Sequence, residues 1–223
     1  MQRNIVRAIA RFFFKVFTRL EVIGAENIPS QGACILAVNH LGRLDPPLVF
    51  ALLDREDVTS LVADKYLRYP FYRWIVNAVN GIWINREEAD INALRAARNF
   101  LKSGGVLGIA PEGTRSHTGA LITAKTGVAY LAEKADVPII PVAISGTEKA
   151  VTELSHLRRP ELRIQFGKPM QLPPLERGDR THALQRNTDE IMCQIAAMLP
   201  ARYRGVYADH PRLKELLLRQ ESP

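Results

Sequence analysis

Apolar residues in this chain follow two patterns that alternate along its length. Short aliphatic runs predict six strands, at residues 32–38, 58–63, 81–84, 106–110, 137–145 and 161–166. The stretches between them repeat apolar residues at helical spacing and predict helices at 86–105, 120–136 and 181–199, with a short one at 211–218. Strands that alternate with helices are typical of an α/β fold in which helices flank both faces of a largely parallel, mixed β-sheet.

The first twenty residues have a pattern of their own. Five cations recur every four positions and fall on one broad face of a predicted helix: Arg3, Arg7, Arg11, Lys15 and Arg19. Bulky apolar residues fall on the other face: Ile5, Ile9, Phe12, Phe13, Val16, Phe17 and Leu20. Because the cations interrupt every apolar stretch, we expect neither a secretory signal nor a membrane-spanning helix here.

We interpret residues 1–20 as an amphipathic helix at a membrane interface and residues 21–223 as a single α/β domain. The apolar side of such a helix enters the bilayer surface, and each cation near the lipid phosphates contributes about 1 kcal/mol. The alternative is an amphipathic helix that packs on its own domain, which is the more common arrangement in globular proteins.

The charge balance favours anionic partners. The 223-residue chain has a formal net charge of +7, and most of its cations are arginines, whose planar fork holds two phosphate oxygens at once. The excess indicates nucleic acid, an anionic membrane or a phosphorylated small molecule, or else serves solubility alone. Without a nucleic-acid-binding motif, nucleic acid is the weakest of these. Cys34 and Cys193 form neither a CxxC pair nor a disulfide framework, which indicates a reducing compartment.

Candidate chemistry lies in the stretch "NHLGRLDP", between a predicted strand and another apolar run. A neutral imidazole can take a proton from an alcohol, and a carboxylate that accepts its other N–H fixes the tautomer. His40 and Asp45 supply these two groups, and Gly42 permits the turn that brings them together. The alternative is that Asp45 only caps a helix that starts at Pro46, with His40 an ordinary loop residue.

The serine-nucleophile motif GxSxG, the zinc motif HExxH, the P-loop and the dinucleotide motif GxGxxG are absent from the sequence. A base without a protein nucleophile indicates that the substrate brings its own, for instance a hydroxyl. Two further stretches place polar residues just beyond predicted strands: "GIWINR", whose strand is followed by Arg86, and "APEGTRS", which contains Glu112, Gly113, Thr114 and Arg115. A third, "VPIIPV" at 137–142, is itself a strand. Singly, these are equally consistent with a solvated arginine, a Pro-Gly turn and a core strand.

Together and in this order, the four stretches resemble the glycerolipid acyltransferase family that contains the 1-acylglycerol-3-phosphate acyltransferases. The first block of that family, Asn-His, four variable residues and Asp, is matched by Asn39, His40 and Asp45. The second, a Gly-led strand that ends in Arg, is matched from Gly81 to Arg86. The third, Pro-Glu-Gly-Thr-Arg-Ser, is matched at 111–116, and the fourth, Val-Pro-Ile-x-Pro, at 137–141. The resemblance covers roughly residues 21–168.

The resemblance implies a fatty acyl transfer in which His40, oriented by Asp45, deprotonates an acceptor hydroxyl that attacks an acyl thioester directly. It also implies an acceptor-phosphate site made by residues of the second and third blocks: Arg86, Glu112, Gly113, Thr114 and Arg115. Lys125 is a further phosphate candidate, and Asn39 and Gly42 support the loop. Since a carboxylate repels phosphate, we expect Glu112 to hold an arginine or to accept a substrate hydroxyl.

We therefore expect an enzyme that moves an acyl group from acyl-CoA or acyl-carrier protein to lysophosphatidic acid, giving phosphatidic acid, without cofactor or metal. Other acceptors stay open: glycerol 3-phosphate, another lysophospholipid or a lyso-aminolipid. A more distant alternative is a non-catalytic lipid-binding protein, although such a protein would not need His40 as a base. Since both substrates of the enzyme are lipids, we expect it to lie on the cytoplasmic face of a membrane.

Overall fold

The computed structural model of the protein describes residues 2–85, 90–175 and 178–221. Within these ranges the strands are β1 (Arg19–Ile23), β2 (Cys34–Val38), β3 (Val58–Ala63), β4 (Ile82–Ile84), β5 (Val106–Ile109), β6 (Ile139–Ser145) and β7 (Glu161–Phe166). The α-helices are α1 (Gln2–Phe17), α2 (Asp45–Leu52), α3 (Pro70–Ala78), α4 (Ile91–Lys102), α5 (Gly127–Ala135), α6 (Ala150–Ser155), α7 (Arg180–Met198) and α8 (Pro211–Glu221).

The seven strands form one mixed sheet in the order β1-β7-β6-β2-β5-β3-β4. Strands β2 to β6 all run parallel, whereas β7 lies antiparallel to β6, and β1 pairs in parallel with β7. The predicted α/β class is confirmed. The carboxyl ends of β2, β3, β5 and β6 therefore meet at one edge of the sheet, which is where sites form in folds of this kind.

On each face of the sheet, an apolar core is formed between the strands and the helices that pack on them. One core is formed with residues of α4, α5, α7 and α8 against Ile35, Leu107 and Ile139. The other is formed with α2, α6 and Phe14 of α1 against Leu36, Ile140 and Ile164. Consecutive residues of β2 and β6 are buried on both faces, which explains why these strands are apolar throughout rather than alternating.

The element boundaries differ from the prediction mainly at the amino terminus. The chain leaves α1 at Phe17 and enters β1 at Arg19, so the proposed boundary at residue 20 falls inside a strand. Helices α3 and α6 were not predicted, because nine- and six-residue helices are too short to show a clear apolar period. Bounds at 58–63 and 161–166 match the observed strands β3 and β7.

The prediction that the cations of the N-terminal helix face lipid phosphates is wrong for Arg3 and Arg7, which are buried, while the exposed Arg11 also binds the protein. Arg3 donates a 2.6 Å bond to the carbonyl of Val58, and Arg7 to the carbonyl of Arg55. Arg11 donates a 2.6 Å bond to the carbonyl of Ala51, in the last turn of α2. The last carbonyls of a helix have no partner within it, and arginine side chains satisfy them well.

The cationic side of α1 consequently faces the protein, while its apolar side is largely exposed. The exposed large residues on this side are Ile5, Ile9, Phe12, Val16 and Phe17. A periodic pattern defines two faces of a helix but not which of them turns inward, so the sequence could not settle this orientation. Among the described residues, no helix has both the length and the apolar character that crossing a bilayer requires.

Candidate active site

His40 and Asp45 meet at the carboxyl end of β2. The Nδ1 atom of His40 lies 2.8 Å from Oδ2 of Asp45, and the imidazole keeps 18% of its surface exposed while the carboxylate is buried. Because a carboxylate can only accept, the neutral imidazole carries its proton on Nδ1 and leaves the Nε2 lone pair free to take a proton. The pair predicted from the sequence is therefore in contact.

Asp45 also organises the loop between the two residues. Its Oδ2 atom accepts the backbone N–H of Leu41 at 2.7 Å and that of Gly42 at 2.8 Å, in addition to the imidazole. Helix α2 begins at Asp45 itself. Its carboxylate accepts hydrogen bonds from amides of the preceding loop and not from amides of the helix. The alternative role of Asp45 as a plain helix cap is therefore wrong.

The loop is fixed to the sheet by Asn39 and by a close approach at Gly42. The buried Asn39 amide donates to the carbonyl of Ile144 at 2.9 Å and accepts its N–H at 2.7 Å, which ties the end of β2 to β6. At Gly42, a Cβ atom would lie 2.4 Å from the carbonyl oxygen of Thr147. Glycine is needed there for space, rather than for the backbone freedom that we expected.

Glu112 supports the loop between β2 and α2, which carries His40, instead of contacting an arginine or the acceptor. It is 2% exposed, and its two oxygens accept the backbone N–H groups of His40 at 2.8 Å and of Ile122 at 3.1 Å. The N–H of Ser116 donates to the carbonyl of His40 at 2.8 Å. The third block thus binds both sides of the His40 backbone, and the expected substrate contact for Glu112 is wrong.

The other residues of the third block lie at the surface of its own loop, residues 111–116. Gly113 has a φ of +69°, and a Cβ there would lie 3.1 Å from Cδ of Lys125, so the Lys125 side chain lies across the loop. Thr114 is exposed, and the partly exposed Arg115 makes no hydrogen bond or ion pair with a described residue. A further exposed cation, Arg43, lies between His40 and Asp45 at a position that the family block leaves variable.

The second and fourth blocks place no described side chain at the site. Arg86, the cation of the second block, lies outside the described residues, so its predicted phosphate contact stays a prediction. The fourth block forms the start of β6, in which every residue is buried, and it contributes packing next to β2 rather than a side chain at the site.

Neither cysteine offers an alternative nucleophile. Both thiols are free and buried. Burial raises the pKa of Cys34 to about 11 and that of Cys193 to about 12, so both stay protonated near neutral pH. Among the described residues there is also no cluster of His, Cys, Asp and Glu that could hold a metal ion.

Burial makes Glu112 sensitive to pH. Its pKa is raised from 4.5 to about 7, chiefly because burial disfavours the charged form, while the two backbone donors act in the opposite direction. The folded protein therefore holds a proton that the unfolded chain has released between about pH 4.5 and 7. Across this window the free energy of unfolding should fall as pH rises, by about 3 kcal/mol in total, and then stay level.

Comparison of wild type with Glu112→Gln isolates this effect, because every other titrating group is shared. The amide cannot ionise, and the backbone bond that it loses is lost equally at every pH. We expect urea unfolding to show a steeper loss of stability between pH 5 and pH 8 for wild type than for the variant. Parallel profiles of the two proteins would contradict the assigned pKa.

The chain is similar in sequence to a known family of proteins. The family model for Acyltransferase matches residues 19–145, which is more than half of the chain. A 1-acyl-sn-glycerol-3-phosphate acyltransferase of Borreliella burgdorferi is 30% identical over 135 residues, which are 58% of this chain and 52% of that protein. One of Saccharomyces cerevisiae is 31% identical over 163 residues, 64% of this chain and 50% of that protein.

The fold is also similar to a solved structure. The crystal structure of the 1-acyl-sn-glycerophosphate (LPA) acyltransferase PlsC from Thermotoga maritima aligns with a TM-score of 0.66 at 24% identity, over 85% of this chain and 79% of that one. The chain spans about half the length of the two curated relatives described above. From the match to more than half of its sequence, the chain belongs to the Acyltransferase family.

Proposed function

We propose that the protein transfers a fatty acyl group from a thioester, acyl-CoA or acyl-carrier protein, to the free hydroxyl of lysophosphatidic acid, giving phosphatidic acid. The observation that carries the proposal is the 2.8 Å contact between His40 and Asp45, held in a loop that the third block binds from both sides. The named activity of the curated relatives supports the choice of substrates.

In this reaction Nε2 of His40 takes the proton of the acceptor hydroxyl as its oxygen attacks the thioester carbonyl. Asp45 holds the ring by Nδ1 and stabilises the positive charge that the imidazole gains. The tetrahedral intermediate then releases the thiol, which takes the proton from His40. The substrate oxygen is the nucleophile throughout, so no acyl-enzyme forms and no cofactor or metal is required.

The acceptor phosphate is proposed to bind at the third-block loop. Arg115 lies three residues after Glu112 in the same loop, and its guanidinium makes no hydrogen bond or ion pair with a described residue. Lys125 lies across Gly113 in the same loop, and Thr114 offers an exposed hydroxyl. An arginine binds phosphate with two parallel bonds, which makes Arg115 the principal contact. Arg86, the cation of the second block, is the remaining residue of this proposed phosphate site.

Replacing Arg115 by alanine should raise the KM for lysophosphatidic acid by roughly 10- to 100-fold, since a hydrogen bond to a charged group contributes about 1.5–3 kcal/mol. The KM for the acyl donor should stay unchanged. Steady-state kinetics with each substrate varied in turn measure both values, and Arg158→Ala, at an exposed arginine after α6, is the matched control. A raised donor KM with an unchanged acceptor KM would reassign Arg115 to the donor.

The acceptor is tested directly by a parallel assay of the purified protein. Labelled palmitoyl-CoA is supplied with lysophosphatidic acid, glycerol 3-phosphate or neutral monoacylglycerol, and lipid products are separated and counted. We expect product with lysophosphatidic acid and much less with the other two acceptors. Product from glycerol 3-phosphate alone, or equal product from the neutral acceptor, would overturn the proposed acceptor but not the chemistry.

We further propose that α1 binds the membrane that holds both substrates, through its apolar side. Burial of the exposed Ile9 and Phe12 in the interface provides the free energy, and Lys15 remains available for lipid phosphates because its side chain is exposed. The arginines of this helix instead bind it to the last turn of α2 and to the chain at the start of β3. The anionic membrane is thus the proposed partner of residues 1–20.

A charge on this face should release the protein from vesicles. Phe12→Asp changes a residue that is 65% exposed, so the fold should be unaffected while binding to anionic vesicles falls by at least about tenfold. Val206→Asp, at a residue of similar exposure in the turn Gly205–Tyr207, is the matched control. Equal vesicle sedimentation of Phe12→Asp and the control would contradict this role of α1.

A further inference from the structure

An exposed group of aromatic residues follows β3. Here the chain forms a 3₁₀ helix, Asp64–Arg68, and then α3. We call the exposed large residues of this segment the aromatic surface: Leu67, Tyr69, Tyr72 and Trp74, which are 40% to 49% exposed. The rings of Tyr69 and Tyr72 lie 6.1 Å apart, and Tyr72 also lies 5.4 Å from the ring of Tyr66. Such a patch on a water-facing surface indicates a binding partner.

Cations border the aromatic surface. The Lys65 ammonium lies 5.6 Å from the ring centre of Tyr66, and the Arg68 guanidinium lies 4.9 Å from that of Tyr69. Arg73 is exposed on α3, and Asp64 is the one acidic residue in the sequence from 64 to 78. Tyrosine and tryptophan carry a polar group at the end of an apolar body, which suits a layer that is apolar on one side and anionic on the other.

The helix that carries part of the aromatic surface packs against α1, and the segment begins near the candidate active site. Helices α1 and α3 are in contact, and Arg3 of α1 donates to the carbonyl of Val79 at the end of α3. The segment begins at the carboxyl end of β3, which is separated from β2 by β5 alone. Adjacent strands are about 4.8 Å apart, so it starts roughly 10 Å along the sheet edge from the His40 loop.

From this arrangement we propose that the aromatic surface is a second membrane-binding element, which inserts into the headgroup layer of an anionic phospholipid bilayer. The exposed apolar side of α1 forms the first element, and the two would contact the same bilayer. Tyr69, Tyr72 and Trp74 supply the buried area, while Lys65, Arg68 and Arg73 lie at the level of the lipid phosphates. The inference rests on exposure and charge, and it holds whether or not the proposed acyl transfer occurs.

A bilayer fits these residues better than a protein partner does. An acidic protein would use the three cations, but it would leave a row of phenol and indole groups without an apolar counterpart. A second copy of the chain would place like charges opposite one another, because the same three cations would meet across a symmetric contact. A bilayer with anionic headgroups accommodates the cations and the aromatic groups in one layer.

Trp74 allows a direct test because the chain contains only one other tryptophan, Trp83 in β4. In a Trp83→Phe background, Trp74 fluorescence is recorded with phosphatidylcholine vesicles that contain phosphatidylglycerol, with and without lipids brominated near the headgroup. We expect a shift of the emission to shorter wavelength and quenching by the brominated lipid. In the otherwise native chain, Tyr69→Ala with Trp74→Ala should weaken vesicle binding by roughly tenfold.

The matched control places the single tryptophan elsewhere. Trp74→Phe, Trp83→Phe and Val206→Trp together put the indole at an exposed site, whose backbone N–H donates to the carbonyl of Leu121 at 3.2 Å. This protein should bind the same vesicles without quenching. Sedimentation of the Trp74 protein with vesicles but without quenching would overturn the proposal. An emission shift that depends on protein concentration without vesicles would overturn it in favour of self-association.

Discussion

Replacement of His40 by alanine is expected to lower kcat by at least about 10²-fold, with little change in the KM of either substrate. General-base catalysis contributes roughly 10²- to 10⁴-fold, and here the base has no substitute because the described site contains no second group poised by a carboxylate. The side chain is partly exposed and makes one hydrogen bond, to Asp45, so its removal should leave the fold intact. Turnover of purified protein and a thermal melt measure the two effects.

His182 provides the control for this experiment. It lies on the surface, also hydrogen-bonded through Nδ1 to an aspartate, Asp179, at the start of α7. His182→Ala should keep full activity, which would show that the loss at residue 40 arises from its place in the site rather than from the loss of a His–Asp pair. Retention of more than about a tenth of wild-type kcat by His40→Ala would remove His40 as the base.

Asp45→Asn is expected to give the second-largest loss, roughly 10²- to 10⁴-fold in kcat. The amide oxygen can keep the place of Oδ2 and still accept the N–H groups of Leu41 and Gly42, so the loop should persist. The variant lacks the negative charge that stabilises the imidazolium formed when His40 takes the proton. Alanine would be a poorer choice, because it leaves buried N–H groups unpaired at about 1–3 kcal/mol each.

Two controls determine how the result for Asp45→Asn is interpreted. Asp179→Asn changes the surface pair in the same way and should have no effect on turnover. The melting temperature of Asp45→Asn should stay close to that of wild type. A loss of activity that is matched by a loss of folded protein would assign Asp45 to loop structure alone, and unchanged kcat would deny it any role in catalysis.

The contact between His40 and Asp45 and the α/β class could be predicted from the sequence because both depend on local patterns. Strand β2 is uniformly apolar, and the five-residue separation of His40 and Asp45 is short enough for one loop to bring them together. The bounds of β3 were also predictable, because it is a short apolar run that charged residues precede and follow.

The role of Glu112 could not be predicted, because it depends on a contact between residues 72 positions apart. From the sequence we expected Glu112 to hold an arginine or to accept a substrate hydroxyl, whereas the fold places it between two backbone amides, in a site that raises its pKa to about 7. The inward-facing arginines of α1 were missed for a related reason. Arg3, Arg7 and Arg11 each donate to a backbone carbonyl, a contact that leaves no trace in residue type, and Arg7 and Arg11 also pair with the carboxylates of Glu56 and Asp54.

The central claim is that an acceptor hydroxyl, deprotonated by His40, attacks the thioester without an acyl-enzyme. The most direct measurement incubates purified protein with palmitoyl-CoA and lysophosphatidic acid and follows free CoA and phosphatidic acid together, with the intact mass of the protein recorded after incubation with palmitoyl-CoA alone. We predict equal amounts of CoA and phosphatidic acid, a rate for His40→Ala no more than about a hundredth of the wild-type rate, and no mass increase. Phosphatidic acid from His40→Ala at more than about a tenth of the wild-type rate, or a protein that gains one acyl group, would contradict this mechanism.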